Sequence, residues 1–114
     1  MHHEVELLDG VEAFLATLSI KMEAKAYRTL NLLQRLGTSL SEPYSKPIKG
    51  HKGLYELRVK FGSDIVRLFY FRYHETLLVV TSGYLKKTQK LNRQEIEKAQ
   101  SLKDRYIKEN PWSD

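Results

Sequence analysis

The segment Gly53–Lys87, GLYELRVKFGSDIVRLFYFRYHETLLVVTSGYLKK, decides the fold of this 114-residue chain. It contains three runs rich in β-branched and aromatic residues, separated by Gly62-Ser63-Asp64 and by His74-Glu75. Runs of this composition between turn residues are typical of strands joined in hairpins. The segment therefore predicts three consecutive antiparallel strands at 54–61, 65–73 and 76–82, followed by a loop from Gly83 to Lys90.

The first two of these strands carry cationic side chains at unusual positions. In strand 54–61, a core face of Tyr55, Leu57, Val59 and Phe61 alternates with a polar face that contains Glu56, Arg58 and Lys60. The next strand is largely apolar on both faces, which indicates a central strand, yet Arg67 lies in its middle. A buried arginine is costly unless it meets an anion or a carboxylate. Two interpretations of Arg67 stay open: contact with an anionic ligand, or an internal ion pair with Glu56.

Helical patterns flank the predicted sheet on both sides in sequence. Residues 3–8 suit a short edge strand, and Asp9 is the expected N-cap of a helix over 10–18. A second helix is predicted from Ser19 or Ile20 to Leu36, ended by Gly37 in the C′ position.

The remaining segments complete the order of elements. Pro43 and Pro47 predict that 38–52 is a loop. Asn92 and Glu95 form a capping box for a last helix that reaches about Glu109. The pattern predicts one α+β domain over residues 1–114, with an N-terminal helical hairpin packed on an antiparallel sheet and a C-terminal helix.

Positive charge is concentrated in the predicted sheet and its adjoining loops. The formal net charge is +5, but residues 46–93 hold eleven Lys or Arg against three acids. Residues 1–45 hold four basic and six acidic groups, and residues 94–114 hold four and five. Such a concentration attracts a polyanion. A solvated lysine-rich surface has the same composition, so charge alone leaves both interpretations open.

Several classes of protein are excluded by composition. The chain has no cysteine, which rules out disulfides and thiolate metal sites. No apolar run in the sequence approaches the ~18 residues of a membrane span. The glycines lack the spacing of a phosphate-binding loop, and no His, Asp or Glu group has metal-ligand spacing. We therefore predict a cytoplasmic protein that needs no metal or other cofactor and does not enter a membrane.

Four short motifs give the chain a family resemblance. GLYELR at 53–58, VRLFY at 66–70, GYLKKTQK at 83–90 and EIEKA at 95–99 follow in an order that resembles the HigB branch of the RelE toxin superfamily. The resemblance covers nearly the whole chain. It implies a RelE-like fold, in which a curved antiparallel sheet has helices on one side and the active site on its concave side.

The resemblance also implies an activity and partners. Members of this kind are type II toxin–antitoxin toxins, endoribonucleases that cleave mRNA on the translating ribosome. A cognate antitoxin, expected here to be a HigA-like helix-turn-helix protein, silences them. We expect a monomer when the toxin is free and a heteromer with the antitoxin when it is inhibited.

Metal-independent RNA cleavage needs a base for the 2′-OH, cations for the phosphorane and an acid for the leaving oxygen. Arg67 matches the family's arginine in the VRLFY motif, which implies phosphate contact. Arg58 is the candidate second cation, and Glu56 is either the general base or a group that orients the two arginines. Lys86 and Lys87 match positions where the family carries further basic catalytic or RNA-contacting residues.

The candidates for RNA binding lie around this set. They are Lys60, Tyr84, Lys90, His51 and Lys52. Lys60 also fits a solvated strand end, and Tyr84 fits either base stacking or core packing. The chain departs from relatives that use a histidine in the Tyr84–Lys90 loop, because it has none there, so the general acid is left unidentified.

Two other functions remain as alternatives on the same scaffold. One is a ParE-like toxin directed at DNA gyrase, although such relatives generally lack the nuclease residues. The other is an RNA-binding module without catalysis.

Overall fold

The computed structural model describes residues 3–86 and 92–111, and it contains eight main elements within them. In chain order they are β1 (Glu4–Leu7), α1 (Val11–Ala16), α2 (Ile20–Leu36), β2 (Ser45–Pro47), β3 (Leu54–Phe61), β4 (Asp64–His74), β5 (Leu77–Lys86) and α3 (Arg93–Glu109). A 3₁₀ turn at Gly37–Ser39 follows α2. The expected α+β architecture, with two helices before the sheet and one after it, is confirmed.

A single five-stranded sheet has the order β1-β5-β4-β3-β2. The predicted antiparallel meander is confirmed as β3–β4–β5, with β4 at the centre. The edge strand predicted at 3–8 is also present, as β1, but it pairs with β5 in parallel. The expectation of a wholly antiparallel sheet was wrong for this pair because β1 reaches β5 through a long crossover rather than a hairpin.

The sheet is covered on both faces. One face packs on α1 and α2 through a core that includes Leu15, Leu33, Leu57 and Leu68. We call this the hairpin face. The opposite face, called here the α3 face, packs on α3 through a smaller cluster of Ile48, Leu54, Phe69 and Ala99. The expectation of helices on one side only was therefore wrong, since α3 buries its own apolar stripe on the second face.

The predicted polar face of β3 is not a solvent-facing surface. Leu54 and Glu56 are fully buried on the α3 face, whereas Phe61, predicted to point into the core, is largely exposed at the strand end. Alternation alone did not reveal this, because α3 covers only one end of the face. That uneven cover leaves the other end accessible beside β3 and β5.

The ends of α1 and α2 follow from local capping. Gly10, not the predicted Asp9, is the N-cap of α1 and has a φ of 93°, a left-handed conformation that glycine adopts without strain. The first helix ends at Ala16, before the predicted residue 18, because the Ser19 side chain accepts the Met22 N–H at 3.2 Å and starts α2. Gly37 ends α2 as predicted.

A short strand lies in the segment predicted to be a loop. Ser45–Pro47 forms β2 and pairs with Tyr55–Leu57 of β3. Proline is tolerated there because β2 is an edge strand, where a missing N–H breaks no inner ladder. The loop prediction for 38–52 was therefore wrong at these three residues.

Gly83 does not begin a loop, because β5 continues to Lys86. A Cβ at Gly83 would lie 2.4 Å from Leu68 Cδ2 and 3.0 Å from the Arg67 carbonyl oxygen. The glycine is needed for close packing, not for a turn. As a result, Tyr84 and Lys86 occupy fixed positions on the sheet, in register with Arg67 and Ile65 respectively.

Asn92 caps the last helix as predicted, but its own N–H donates to the Tyr84 hydroxyl and not to Glu95, so only half of the predicted capping box is present. The Asn92 side chain accepts the Glu95 N–H at 3.2 Å, and α3 then runs to Glu109. Of the helices in the described part of the chain, none combines the length and apolar character that crossing a membrane would require.

Candidate active site

Two arginines face each other across the centre of the sheet. Arg58 of β3 is in register with Arg67 of β4. Like charges directly opposite on antiparallel strands repel each other. Glu56 is two residues before Arg58 on β3, so its side chain points to the same face and lies diagonally across from Arg67.

The Glu56 carboxylate interacts with both arginines. Its Oε2 forms a salt bridge with Arg67 Nη1, and its Oε1 lies 3.6 Å from Arg58 Nε. Glu56 is 0% exposed and Arg67 is 1% exposed, whereas the Arg58 side chain retains 19% exposure. The single carboxylate charge neutralises only one of the two guanidinium charges. The group of three therefore keeps one net positive charge.

This geometry bears on the interpretations of Arg67 and Glu56 that the sequence left open. The internal ion pair is present, and Arg67 has almost no surface through which a ligand could reach it. Both oxygens of Glu56 are directed at arginines, so the carboxylate is placed to orient them. Burying such a pair is tolerable only when the partners match closely, and removing one partner leaves an uncompensated charge.

Lysines extend the positive charge toward the end of the sheet. Lys60 of β3 and Lys86 of β5 lie in register on either side of Ile65 of β4, which separates the two backbones by roughly 10 Å. Lys60 is exposed and Lys86 is half-exposed. We refer to Arg58, Lys60 and Lys86 as the cationic row. The candidates Lys87 and Lys90 lie outside the described residues.

Tyr84 connects this region to α3. Its ring stacks on Phe69 with centroids 6.0 Å apart, and its hydroxyl oxygen accepts the Asn92 N–H at 3.0 Å. Burial, more than any other cause, raises the pKa of Tyr84 above its ordinary value near 10. The phenol is therefore protonated at neutral pH, and its contacts match the core-packing interpretation better than base stacking.

The Tyr84 hydroxyl is expected to stabilise the start of α3. Tyr84→Phe removes the acceptor of the Asn92 N–H and should lower the free energy of unfolding by about 0.5–1.5 kcal/mol. Urea denaturation measures this loss, with Tyr27→Phe on the exposed side of α2 as the matched control. Unchanged stability would instead show that the hydrogen bond from Asn92 contributes nothing to the fold.

His51 and Lys52 lie at the other end of β3 from the cationic row. His51 Nδ1 is 3.2 Å from Gln100 Oε1 of α3, and the Lys52 carbonyl oxygen accepts a hydrogen bond from Lys103 Nζ at 3.1 Å. From the start of β3 to Lys60 the strand extends roughly 20 Å. The structure therefore does not bring these two candidates together with the cationic row.

Two residues beside the cationic row were not singled out from the sequence. Lys25 of α2 donates a hydrogen bond to the Lys60 carbonyl oxygen, and the Tyr44 carbonyl oxygen accepts the Arg58 N–H at 2.8 Å. Neither residue lies in a recognisable motif. Only the docking of α2 and of the segment before β2 against β3 places them here.

The fold and this cluster define a small α+β domain that carries buried and exposed cations on one face of its sheet. The model of the phage-derived Gp49-like proteins (DUF891) matches residues 13–104, and the chain belongs to that family. No curated protein matches the sequence.

Three solved structures have a similar fold. A RelBE toxin–antitoxin complex from Mycobacterium tuberculosis is 18% identical, with a TM-score of 0.57, over 75% of this chain and 100% of that one. A double mutant of the Escherichia coli toxin RelE in the free state is 13% identical, with a TM-score of 0.61, over 94% and 99%. An archaeal RelE–RelB complex from Pyrococcus horikoshii is 15% identical, with a TM-score of 0.54, over 80% and 100%.

Proposed function

We propose that this protein is the toxin of a type II toxin–antitoxin system and an endoribonuclease that cleaves mRNA on the ribosome. The observation that carries the proposal is the cationic row of Arg58, Lys60 and Lys86, which lies beside the buried pair of Glu56 and Arg67. Similarity of fold to RelE toxins supports the class. The motif order of residues 53–99 supports the HigB branch.

The cationic row suits the charge that develops during cleavage. When the 2′-OH attacks the neighbouring phosphate, the phosphorane carries more negative charge than the ground state, and fixed cations stabilise it. Arg58 is proposed to contact the phosphate, with Lys60 and Lys86 binding the adjoining backbone. Lys87 remains a candidate on the basis of the resemblance, and Lys90 a candidate for RNA binding.

Glu56 and Arg67 are proposed to position Arg58 rather than to exchange protons with RNA. Both are nearly inaccessible and each is the other's partner. A general base must come within hydrogen-bond reach of the 2′-OH, and the burial of Glu56 supports an orienting role instead. For Glu56 we therefore propose the orienting role, which the sequence left open beside that of general base.

The proposed partner is an antitoxin, and the proposed compartment is the cytoplasm, where ribosomes are. Two of the similar folds were solved as toxin–antitoxin complexes. We propose a HigA-like helix-turn-helix antitoxin that blocks ribosome entry by covering the cationic row or by its added bulk. Equal ribosome binding by free and antitoxin-bound protein would contradict this mode of inhibition.

Primer extension on a defined mRNA in a reconstituted translation system tests the proposed activity. Wild-type protein should produce cuts only when ribosomes are present. Arg28→Ala removes an exposed cation of α2 that does not belong to the cationic row, and it should cut like wild type. Since Arg28 and the cationic row share their charge but not their location, this control separates a specific site from general basicity.

A second candidate function is RNA binding without cleavage. The burial of Glu56 and Arg67 favours it, because two of the predicted catalytic residues are withdrawn from a ligand. Folded wild-type protein that binds RNA and yields no cuts, with or without ribosomes, would support this candidate and overturn the nuclease. DNA damage without mRNA cleavage would instead indicate the gyrase-directed alternative.

A further inference from the structure

A cavity lies at the edge of the sheet, next to the cationic row. Pairing between β2 and β3 ends near Tyr44 and Arg58, while β3 continues to Phe61. The cavity of about 160 Å³ occupies the resulting gap. Its lining residues are Lys25, Thr29, Pro43, Tyr44, Arg58, Val59 and Lys60. We call it the edge cavity.

The edge cavity combines positive charge with an accessible aromatic ring. Lys25, Arg58 and Lys60 line it, and among its described lining residues none is acidic. Tyr44 is 44% exposed, although it is a large hydrophobic side chain. Lys25 Nζ donates to the Lys60 carbonyl oxygen, which holds the ammonium group at the strand edge, and an ammonium has three donors in all.

We propose that the edge cavity is a second nucleotide subsite, in which single-stranded RNA leaving the cationic row stacks a base on Tyr44 and places a phosphate near Lys25. The proposal rests on the RNA-directed function proposed above. Arg58 and Lys60 line the cavity and also belong to the cationic row, so the two sites adjoin along β3. A positive groove with interspersed aromatic rings is the arrangement that binds single strands without sequence preference.

The chemistry of the cavity favours RNA over a peptide as its occupant. An acidic peptide could form ion pairs with the three cations. A planar base gains further affinity by stacking on the exposed tyrosine ring, and most peptide side chains have no planar group that could stack in this way.

Binding of a non-cleavable RNA separates this subsite from the nuclease proposal. The probe is a short, fluorescein-labelled single strand with 2′-O-methyl riboses, titrated by anisotropy without ribosomes. Tyr44→Ala should raise the Kd by about 5- to 150-fold, which corresponds to the usual range for one stacked base. Tyr44→Phe keeps the ring and should bind like wild type. Tyr27→Ala removes another exposed tyrosine (39%) from α2 and should change nothing.

A second variant tests the phosphate contact. Lys25→Gln should reduce the slope of log Kd against log salt by about 0.7, the value for one phosphate of a single strand. Urea denaturation of each variant checks that it is folded at the temperature of the titration.

The outcomes distinguish the two proposals. If Tyr44→Ala weakens binding while wild-type protein never cleaves mRNA, the subsite holds and the nuclease fails. If wild-type protein cleaves and Tyr44→Ala binds the probe as tightly as wild type, the subsite is overturned. Unchanged RNA affinity with weakened antitoxin binding would assign the cavity to a protein partner and would also overturn it.

Discussion

Arg67→Ala should lower the free energy of unfolding by about 3–5 kcal/mol, because it leaves Glu56 buried without its main counter-charge. Glu56 is fully buried, and its other cationic neighbour, Arg58, is 3.6 Å from it. The total free energy of unfolding of a domain of this kind is about 5–15 kcal/mol. The single variant is therefore expected to be partly unfolded near physiological temperature, as thermal and urea unfolding would measure.

Replacing both partners separates the structural role of the pair from its functional one. The double variant Glu56→Leu/Arg67→Met exchanges the ion pair for apolar side chains and should recover wild-type stability or exceed it. The proposed mRNA cleavage should nevertheless stay low, because Arg58 has lost the carboxylate that lies 3.6 Å from it and is proposed to orient it. A double variant that is stable and fully active would show that the pair serves the fold alone. If Arg67→Ala lowers the free energy of unfolding by less than about 1 kcal/mol, the ion pair contributes no more than an exposed one. That result would contradict the prediction that burial makes its loss costly.

If the proposed nuclease activity is present, Arg58→Ala should reduce mRNA cleavage by about 10²–10³-fold, the usual effect of removing one group that stabilises transition-state charge. The fold should persist because Glu56 keeps its salt bridge with Arg67. Single-turnover rates on a ribosome complex measure the chemical step directly. They are compared with those of Arg28→Ala, which removes an exposed arginine of α2.

Arg58→Lys tests whether charge or geometry matters at this position. Lysine keeps the charge but lacks the planar fork that contacts Glu56 and a phosphate together. We expect an activity between those of wild type and the alanine variant. If Arg58→Ala cleaved at the wild-type rate, Arg58 would have no part in the mechanism. The stabilising charge would then have to come from the lysines of the cationic row.

The central strands could be predicted from the sequence because their signals are local. The hairpin turns after Phe61 and His74, the Gly37 end of α2 and the Asn92 cap each depend on a few neighbouring residues. The edge strand β2 could not be predicted in this way, because Pro47 is compatible with a strand only at the edge of a sheet. Which segment lies at an edge depends on the whole sheet.

Gly83 shows why the end of β5 was missed. In sequence a glycine after a Val- and Leu-rich run indicates a loop. In the structure the residue is needed because Leu68 and the Arg67 backbone approach it closely. The need for glycine arises from residues of the neighbouring strand β4. It could therefore not be predicted from the sequence of β5 alone.

For the cluster of Glu56, Arg58 and Arg67, the residues could be singled out from the sequence but their contacts could not. A lone arginine in an apolar strand was enough to single out Arg67, and alternation placed Glu56 and Arg58 on one face. Whether Arg67 meets an external anion or Glu56 depends on the register of β3 and β4. Lys25 and Tyr44 were missed because only tertiary packing brings them to β3.

The position of Arg67 on β4 has a consequence for how the charged cluster responds to fluctuations. Residues Ile65–Phe71 are all buried, and both neighbouring strands pair with them. Segments of this kind open only in the global transition, whereas loops open locally at much lower cost. The arrangement of the charges is therefore coupled to cooperative unfolding of the whole domain, so that a molecule that retains its fold also retains an assembled site.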